Sequence, residues 1–163
     1  MHTVTKQVEL TIHTPNDPAL LGRLTAITGS CGVEVLASCS YWDHGGAVMK
    51  LVAADTRRMT RALEAKGFKC KSDSVLLVET AGTPGLAAAL GARLANAGVS
   101  VLYSYSFRSE HGQSYAVFKT ADENRAAPLL EMEALGRDQA AAAPWQPPAE
   151  PGLLAEHAMM QAT

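Results

Sequence analysis

The stretch that decides the fold is TPGLAAALGARLANAGVSVLYSYSF, which runs from Thr83 to Phe107. It opens with a turn-forming Thr-Pro-Gly and continues with Leu86, Leu90 and Leu94 at helical spacing. After Gly98 the apolar residues alternate with polar ones, and this period of two is typical of a half-buried strand. The stretch therefore predicts an amphipathic helix that leads directly into a β-strand.

The same pattern occurs once more in the chain, as DPALLGRLTAITGSCGVEVLASCSY from Asp17 to Tyr41. A shift of 66 residues superposes Pro18 on Pro84, and the same shift aligns the leucines, the helix-ending glycine and the serines of the following strand. Such self-similarity at a fixed spacing indicates an internal repeat.

Each repeat reads as strand, helix, strand, strand, helix, strand. The first strand covers Val8 to His13 in the first repeat and Val75 to Val78 in the second, and Asp17 and Thr83 are the predicted N-caps of the helices that follow. With right-handed crossovers this order predicts an α+β fold of two ferredoxin-like βαββαβ units, each with an antiparallel sheet and its helices on one face.

Three polar residues, Ser72, Asp73 and Ser74, separate the repeats and are predicted to form the link between them. We therefore divide the chain into a first domain at 1–72, a second at 73–138 and an Ala/Pro-rich tail at 139–163.

The end of the second repeat departs from this plan. Pro128 falls where the second helix should already be running, and no alternating segment follows that would form a fourth strand. The second sheet should then have an open edge, and a sheet with helices on one face should leave its other face partly bare. Both features predict a homodimer.

Composition excludes several classes of function. The net charge is −2 and the 18% of charged residues are mixed along the chain, so no basic surface for nucleic acid is expected. No segment has the length and apolar content of a signal peptide or a membrane span, which predicts a soluble cytoplasmic protein without membrane contacts.

The sequence contains no recognised catalytic constellation. Phosphate-binding loops, dinucleotide-binding motifs and nucleophile elbows are missing, and the three cysteines have no metal-ligand spacing. We therefore expect no enzymatic activity, no cofactor and no metal. An RNA-recognition module shares this order of elements, but the third strands AVMKLVAA and YAVFKTA lack its Lys/Arg-Gly-aromatic run.

The residues that carry the repeat resemble a known family. Pro84-Gly85-Leu86, followed by the step Ala97-Gly98-Val99 into the next strand, resembles the signature of ACT domains, and residues 8–135 are similar to small proteins built from two tandem ACT domains. The first repeat has Pro18-Ala19-Leu20, with alanine in place of the glycine. The resemblance implies a regulatory protein that binds a small molecule, commonly an amino acid, where two ACT domains meet.

The resemblance also implies which residues bind that ligand. They lie before the first helix and at the start of the second strand of each repeat: Asn16, Asp17, Ala19, Leu20 and Glu34 in the first, and Thr83, Gly85, Leu86 and Ser100 in the second. A helix N-terminus suits a carboxylate, and an acidic or amide side chain suits an ammonium. Asn16 and Asp17 are equally explained as turn and cap residues. A protein-protein interaction or oligomerisation module without a ligand remains the alternative.

Overall fold

The computed structural model describes residues 2–15, 19–43, 45–80, 85–108 and 113–132. The strands are β1 (His2–Thr14), β2 (Val35–Asp43), β3 (Gly46–Ala53), β4 (Cys70–Thr80), β5 (Val101–Arg108) and β6 (Ser114–Thr120), and the helices are α1 (Leu20–Ser30), α2 (Thr56–Glu64), α3 (Leu86–Asn96) and α4 (Glu123–Glu131). The strands form one antiparallel sheet in the order β2-β3-β1-β4-β6-β5. The predicted α+β fold is confirmed, although the two repeats share one sheet.

The predicted link between the repeats is wrong. Ser72, Asp73 and Ser74 lie inside β4 and pair with Leu10, Glu9 and Val8 of β1. The Lys119 ammonium holds this part of the strand, because it contacts the Asp73 carboxylate at 2.7 Å and the Ser74 carbonyl oxygen at 2.7 Å. One continuous strand thus ends the first repeat and begins the second, and the boundary placed between residues 72 and 73 falls within it.

The place beside β4 that a fourth strand of the second repeat would take is occupied by the first half of β1. β1 begins at His2 rather than at Val8, and its first half pairs with β4 from Val75 to Thr80. The second repeat therefore has no open edge at this position, contrary to expectation. The sequence reading stopped at Val8 because residues 2–7 are mostly polar, yet Val4 packs into the core beneath α3 and α4.

The helices of both repeats begin later than predicted. α1 begins at Leu20 and α3 at Leu86, with Ala19 and Gly85 at the N-cap positions and no side-chain cap. The predicted caps, Asp17 and Thr83, lie outside the described residues.

Pro128 does not prevent the second helix of the second repeat. α4 runs from Glu123 to Glu131 with this proline inside it. Asp122 caps the helix by accepting a hydrogen bond from the Arg125 backbone N–H at 3.0 Å, and Ala126 and Leu130 are buried against the sheet. The stability gained from capping and burial together offsets the stability lost with the one helical hydrogen bond that proline removes.

All four helices cover the same face of the sheet and form two apolar cores. α1 and α2 pack on side chains of β1 and β3, including Leu10, Ile12 and Leu51. α3 and α4 pack on side chains of β4 and β6, including Leu76 and Phe118. None of the described helices is long and apolar enough to cross a membrane.

The opposite face of the sheet was predicted to be partly bare, and this is wrong. The sheet curls so that its two edge strands, β2 and β5, lie against each other across this face. Buried residues from four strands meet there, and Leu36 and Tyr105, which are partly buried, pack against them: Ala37, Val52, Val75, Leu77, Tyr115 and Val117. A separate covering layer is therefore unnecessary on this side.

A buried carboxylate lies at the centre of this concave face. Glu9 of β1 has no exposed surface, and it accepts hydrogen bonds from the hydroxyls of Tyr103 at 2.5 Å and Tyr105 at 2.8 Å. The Lys50 ammonium of β3 lies 2.9 Å from the same carboxylate and also contacts Thr11 and Tyr103. We call Glu9, Thr11, Lys50, Tyr103 and Tyr105 the Glu9 cluster.

The Glu9 cluster requires the curl of the sheet. β4 and β6 separate β5 from β1, so in a flat sheet the two strands would be about 14 Å apart. A tyrosine side chain cannot span that distance. The contact of Tyr103 and Tyr105 with Glu9 is thus possible only because the second repeat folds over the first.

The Glu9 cluster shifts the pKa of its lysine and of its two tyrosines upward. Burial by itself would lower the pKa of Lys50, but hydrogen bonds to Glu9 and Tyr103 raise it to about 12. Burial, the hydrogen bond to Glu9 and its charge raise the pKa of Tyr103 to about 12, and burial and the charge of Glu9 also raise the pKa of Tyr105.

We predict that the protein loses stability at alkaline pH through this cluster. The ordinary pKa of Tyr103 is 10.0 and that of Lys50 is 10.5, and both are raised on folding. The stability that they contribute is therefore fully present below about pH 10 and is lost as the pH rises toward about 12. Urea unfolding across this range should show a falling free energy of unfolding.

In the variant Tyr103→Phe the free energy of unfolding should decrease less steeply with pH, because one of the titrating groups is removed. Tyr41→Phe, which changes an exposed tyrosine of β2, is the matched control and should leave the slope unchanged. A free energy of unfolding that stays constant across this range would contradict the prediction.

Candidate functional site

A cleft of about 730 Å³ opens at the start of α3. Its apolar part comes from the sheet and the helix, and its polar part comes from the ends of β5 and β6. The lining residues are Val78, Thr80, Gly85, Leu86, Ala87, Ala88, Leu90, Ser106, Phe107, Arg108, Ser114, Tyr115 and Ala116. Two residues predicted for the ligand, Gly85 and Leu86, are therefore in the wall of the same cleft.

Gly85 sets the geometry of the helix start. Its φ of 78° lies in the left-handed region that glycine adopts without strain, and this turn directs the chain from β4 into α3. Among the residues that the structure describes, no atom lies within 4 Å of a Cβ placed at this position. The backbone N–H groups of the first turn of α3 have no partners within the helix, and this turn lies in the wall of the cleft.

Arg108 provides the charged group of the cleft. It lies at the end of β5, paired in register with Ser114 of β6, and its side chain is exposed. Among the residues that the structure describes, its guanidinium has no hydrogen bond or ion pair. Together with the serine hydroxyls of Ser106 and Ser114, the cleft offers a cation, neutral donors and a helix N-terminus. This combination can bind a carboxylate or a similar anion.

The corresponding position of the first repeat lacks these features. Trp42 occupies the place that Arg108 has in the repeat, and Ala19 occupies the place of Gly85. The cavity at this end, of about 360 Å³, is lined by the β2–β3 hairpin and the end of β1, with no residue of α1. Leu20 is buried in the core.

The resemblance implies a ligand site where two ACT domains meet, but the two helix starts do not enclose one site within the chain. β1 and β4 are antiparallel, with His2 opposite Thr80 and Ile12 opposite Cys70. α1 follows the end of β1 and α3 follows the end of β4, so the two starts are roughly 40 Å apart along the sheet.

The remaining predicted residues that the structure describes are not in the cleft. Glu34 precedes β2 and is exposed, and its carbonyl oxygen accepts a hydrogen bond from the Ala54 N–H. Ser100 precedes β5 and lines a separate cavity of about 580 Å³ farther along α3, beside the start of β5. Asn16, Asp17 and Thr83 lie outside the described residues. No acidic side chain is among the residues that line the described part of the cleft.

Sequence reasoning missed Arg108 and the Glu9 cluster. The alignment of the two repeats could have indicated Arg108, because the matching position of the first repeat has a residue of very different chemistry, Trp42. The signal for the cluster was the pair of hydroxyls on Tyr103 and Tyr105, which need partners when they are buried. Glu9 itself looked like an ordinary outward-facing strand residue.

No other described group suggests chemistry at the site. Burial and the charge of Glu9 raise the pKa of the Cys39 thiol, which disfavours a reactive thiolate. Among the described residues, no group of three His, Cys, Asp or Glu side chains is placed to hold a metal ion.

Comparison with solved structures supports the fold. A protein from Bacteroides thetaiotaomicron matches 78% of this chain and 88% of its own with a TM-score of 0.65 at 21% identity. The regulatory subunit of aspartate kinase from Thermus thermophilus, in its ligand-free form, matches 79% of this chain and 93% of its own with a TM-score of 0.55 at 11% identity. The regulatory subunit of aspartate kinase from Thermus flavus matches 79% of this chain and 91% of its own with a TM-score of 0.52 at 13% identity.

No protein-family model matches the sequence, and no curated protein is significantly similar to it. At identities of 11% to 21% the structural matches establish shared architecture alone. They support the ACT-domain fold that the Pro-Gly-Leu motif and the repeat indicated.

Proposed function

We propose that this protein is a regulatory protein that binds a small carboxylate, an amino acid by its resemblance to ACT domains, in the cleft at the start of α3. The observation that carries the proposal is the Arg108 guanidinium, which has no partner among the described residues and lies in the wall of the same cleft as the first turn of α3. Both groups stabilise negative charge, and both are fixed on regular secondary structure.

The shape of the cleft also supports a small ligand. Its volume of about 730 Å³ is within the range of known ligand sites, and Val78, Leu86 and Leu90 give it an apolar wall. A ligand with a carboxylate at one end and a short apolar side chain would fit both parts. The cleft has no paired acid and base or activated nucleophile among its described lining residues, so we propose binding rather than catalysis.

Two solved structures of similar fold are regulatory subunits of aspartate kinase, and one of them is described as ligand-free. These names support regulation by a small molecule as the hypothesis to test first.

The proposal predicts that Arg108→Gln weakens ligand binding. The protein is first screened by thermal shift against the twenty amino acids, and the affinity for a stabilising amino acid is then measured by calorimetry. Loss of the charged hydrogen bonds should reduce the affinity about tenfold or more. Arg58→Gln, which removes an exposed arginine from α2, is the matched control and should bind like wild type.

A second variant tests whether the ligand lies close to the backbone at the start of α3. Gly85→Asn keeps a residue that tolerates a positive φ but places a side chain in the cleft, so binding should be lost with little change in stability. Gly67→Asn, at a glycine with φ of 84° and open space around it, is the control. Equal affinity in all four variants would place the ligand elsewhere, and stabilisation by none of the amino acids would favour the interaction-module alternative.

We also propose that the protein is a homodimer, joined through the edge of β5 rather than at the position first predicted. β5 is an edge strand with exposed apolar side chains, and Leu102 is 60% exposed next to an irregularity in the pairing with β6. Unpaired backbone groups beside apolar side chains favour association with a second sheet edge.

Light scattering at tens of micromolar should therefore report a dimer, and Leu102→Lys should shift it toward monomer. Leu21→Lys, at an exposed leucine of α1, is the control that should leave the dimer intact. Wild-type protein that remains monomeric under these conditions would contradict the proposal.

A further inference from the structure

A second groove, of about 340 Å³, lies between α2 and the middle of the sheet. It is far from the cleft of α3, because it is built on the first repeat and on the shared strands. The lining residues are Val8, Leu10, Thr56, Arg57, Thr60, Arg61, Cys70 and Ser72. We call it the α2 groove.

The floor of the α2 groove is apolar and accessible. Val8 is 41% exposed although it lies on the face of the sheet that the helices cover elsewhere. α2 and α4 pack on either side of this point, and neither covers Val8. An exposed apolar residue on an otherwise buried face indicates a surface that a partner can cover.

Two arginines form one wall of the α2 groove. Arg57 and Arg61 are one helical turn apart on α2 and are both exposed. Within the described part of the chain, neither guanidinium has a hydrogen bond, an ion pair or a ring contact. Lys6, two residues before Val8 on β1, also lies beside the floor, but its charge is compensated by the Glu123 carboxylate at 3.2 Å.

The charge at this surface is unlike that of the whole protein. The chain has a net charge of −2, yet α2 carries three arginines and one glutamate, Glu64. Two unpaired guanidiniums with a fixed four-residue spacing match carboxylates with the same spacing on a second helix, because each can form a bidentate pair.

We propose that the α2 groove is a docking site for an acidic, amphipathic helical segment of a partner protein. Two carboxylates of the segment, about one turn apart, pair with Arg57 and Arg61, and an apolar side chain between them covers Val8. With a volume of about 340 Å³ the groove is too small to enclose a segment, so specificity comes from this combination of paired charges and one apolar contact.

The chain's own tail does not fit this description. The acidic residues that follow α4 are Glu133, Asp138, Glu150 and Glu156, and no two of them are three or four residues apart. A small anionic ligand fits less well, because 340 Å³ is at the lower end of ligand-site volumes and one wall is open.

The test is a selection of random peptides of about twelve residues, displayed on phage, against the full-length protein. We expect enrichment of peptides with two Asp or Glu residues three or four apart and a large apolar residue between them. An enriched peptide, synthesised with a fluorescent label, should bind wild type, and Arg57→Ser/Arg61→Ser should weaken that binding about tenfold or more.

Arg58→Ser/Lys66→Ser is the matched control, because it removes two exposed cations from the same region but outside the α2 groove. Its affinity for the peptide should stay within about twofold of wild type. No enrichment, enriched peptides without acidic residues, or equal loss in both double variants would overturn the proposal.

Two further outcomes would assign the groove to another occupant and thereby overturn the proposal. One is a change of oligomeric state in Arg57→Ser/Arg61→Ser without peptide, which would indicate a second copy of the chain. The other is binding of a synthetic peptide of residues 139–163 that depends on the same two arginines. Amino acid binding in the cleft of α3 is independent of all these results.

Discussion

The structure depends on one buried carboxylate that no single repeat can satisfy. Glu9 belongs to the first repeat, and its partners are Lys50 from the same repeat and Tyr103 and Tyr105 from the second. A carboxylate without exposed surface is strongly destabilising unless charge and hydrogen bonds compensate for its lost hydration. Glu9 can be compensated in this way only when the sheet curls. The same curl buries the helix-free face of the sheet and brings β2 close to β5.

Shared strands have a direct consequence for function. Because β1 and β4 each serve both repeats, the two helix starts are at opposite ends of the sheet and are free to differ. The second repeat combines Gly85 and Arg108 in an open cleft, whereas the first has Ala19 and Trp42 at the matching positions. The repeat symmetry of the fold is thus not a symmetry of the proposed site, and within the described residues only the second repeat has this combination.

The sequence predicted the order of elements because prolines, glycines and leucines mark helix starts, stops and buried faces locally. It did not predict that Ser72 to Ser74 continue a strand, since these residues form turns as readily, and their strand conformation depends on pairing with β1. Glu9 and Lys50 are far apart in sequence, and only the register of β1 with β3 and the curl bring them together with the tyrosines. Gly85 and Leu86 were predicted from a local motif, whereas Arg108 required knowledge of which strand ends beside α3.

Native-state hydrogen exchange of the variant Glu9→Gln tests most directly whether this carboxylate joins the two repeats. Glutamine keeps the shape and can still accept hydrogen bonds, but it leaves the Lys50 ammonium without a counter-charge. The most protected amides of β3 and of β6 should lose the same free energy of opening, about 3 kcal/mol or more. Loss confined to β1 and β3, with β6 protected as in wild type, would contradict the account, as would wild-type protection throughout.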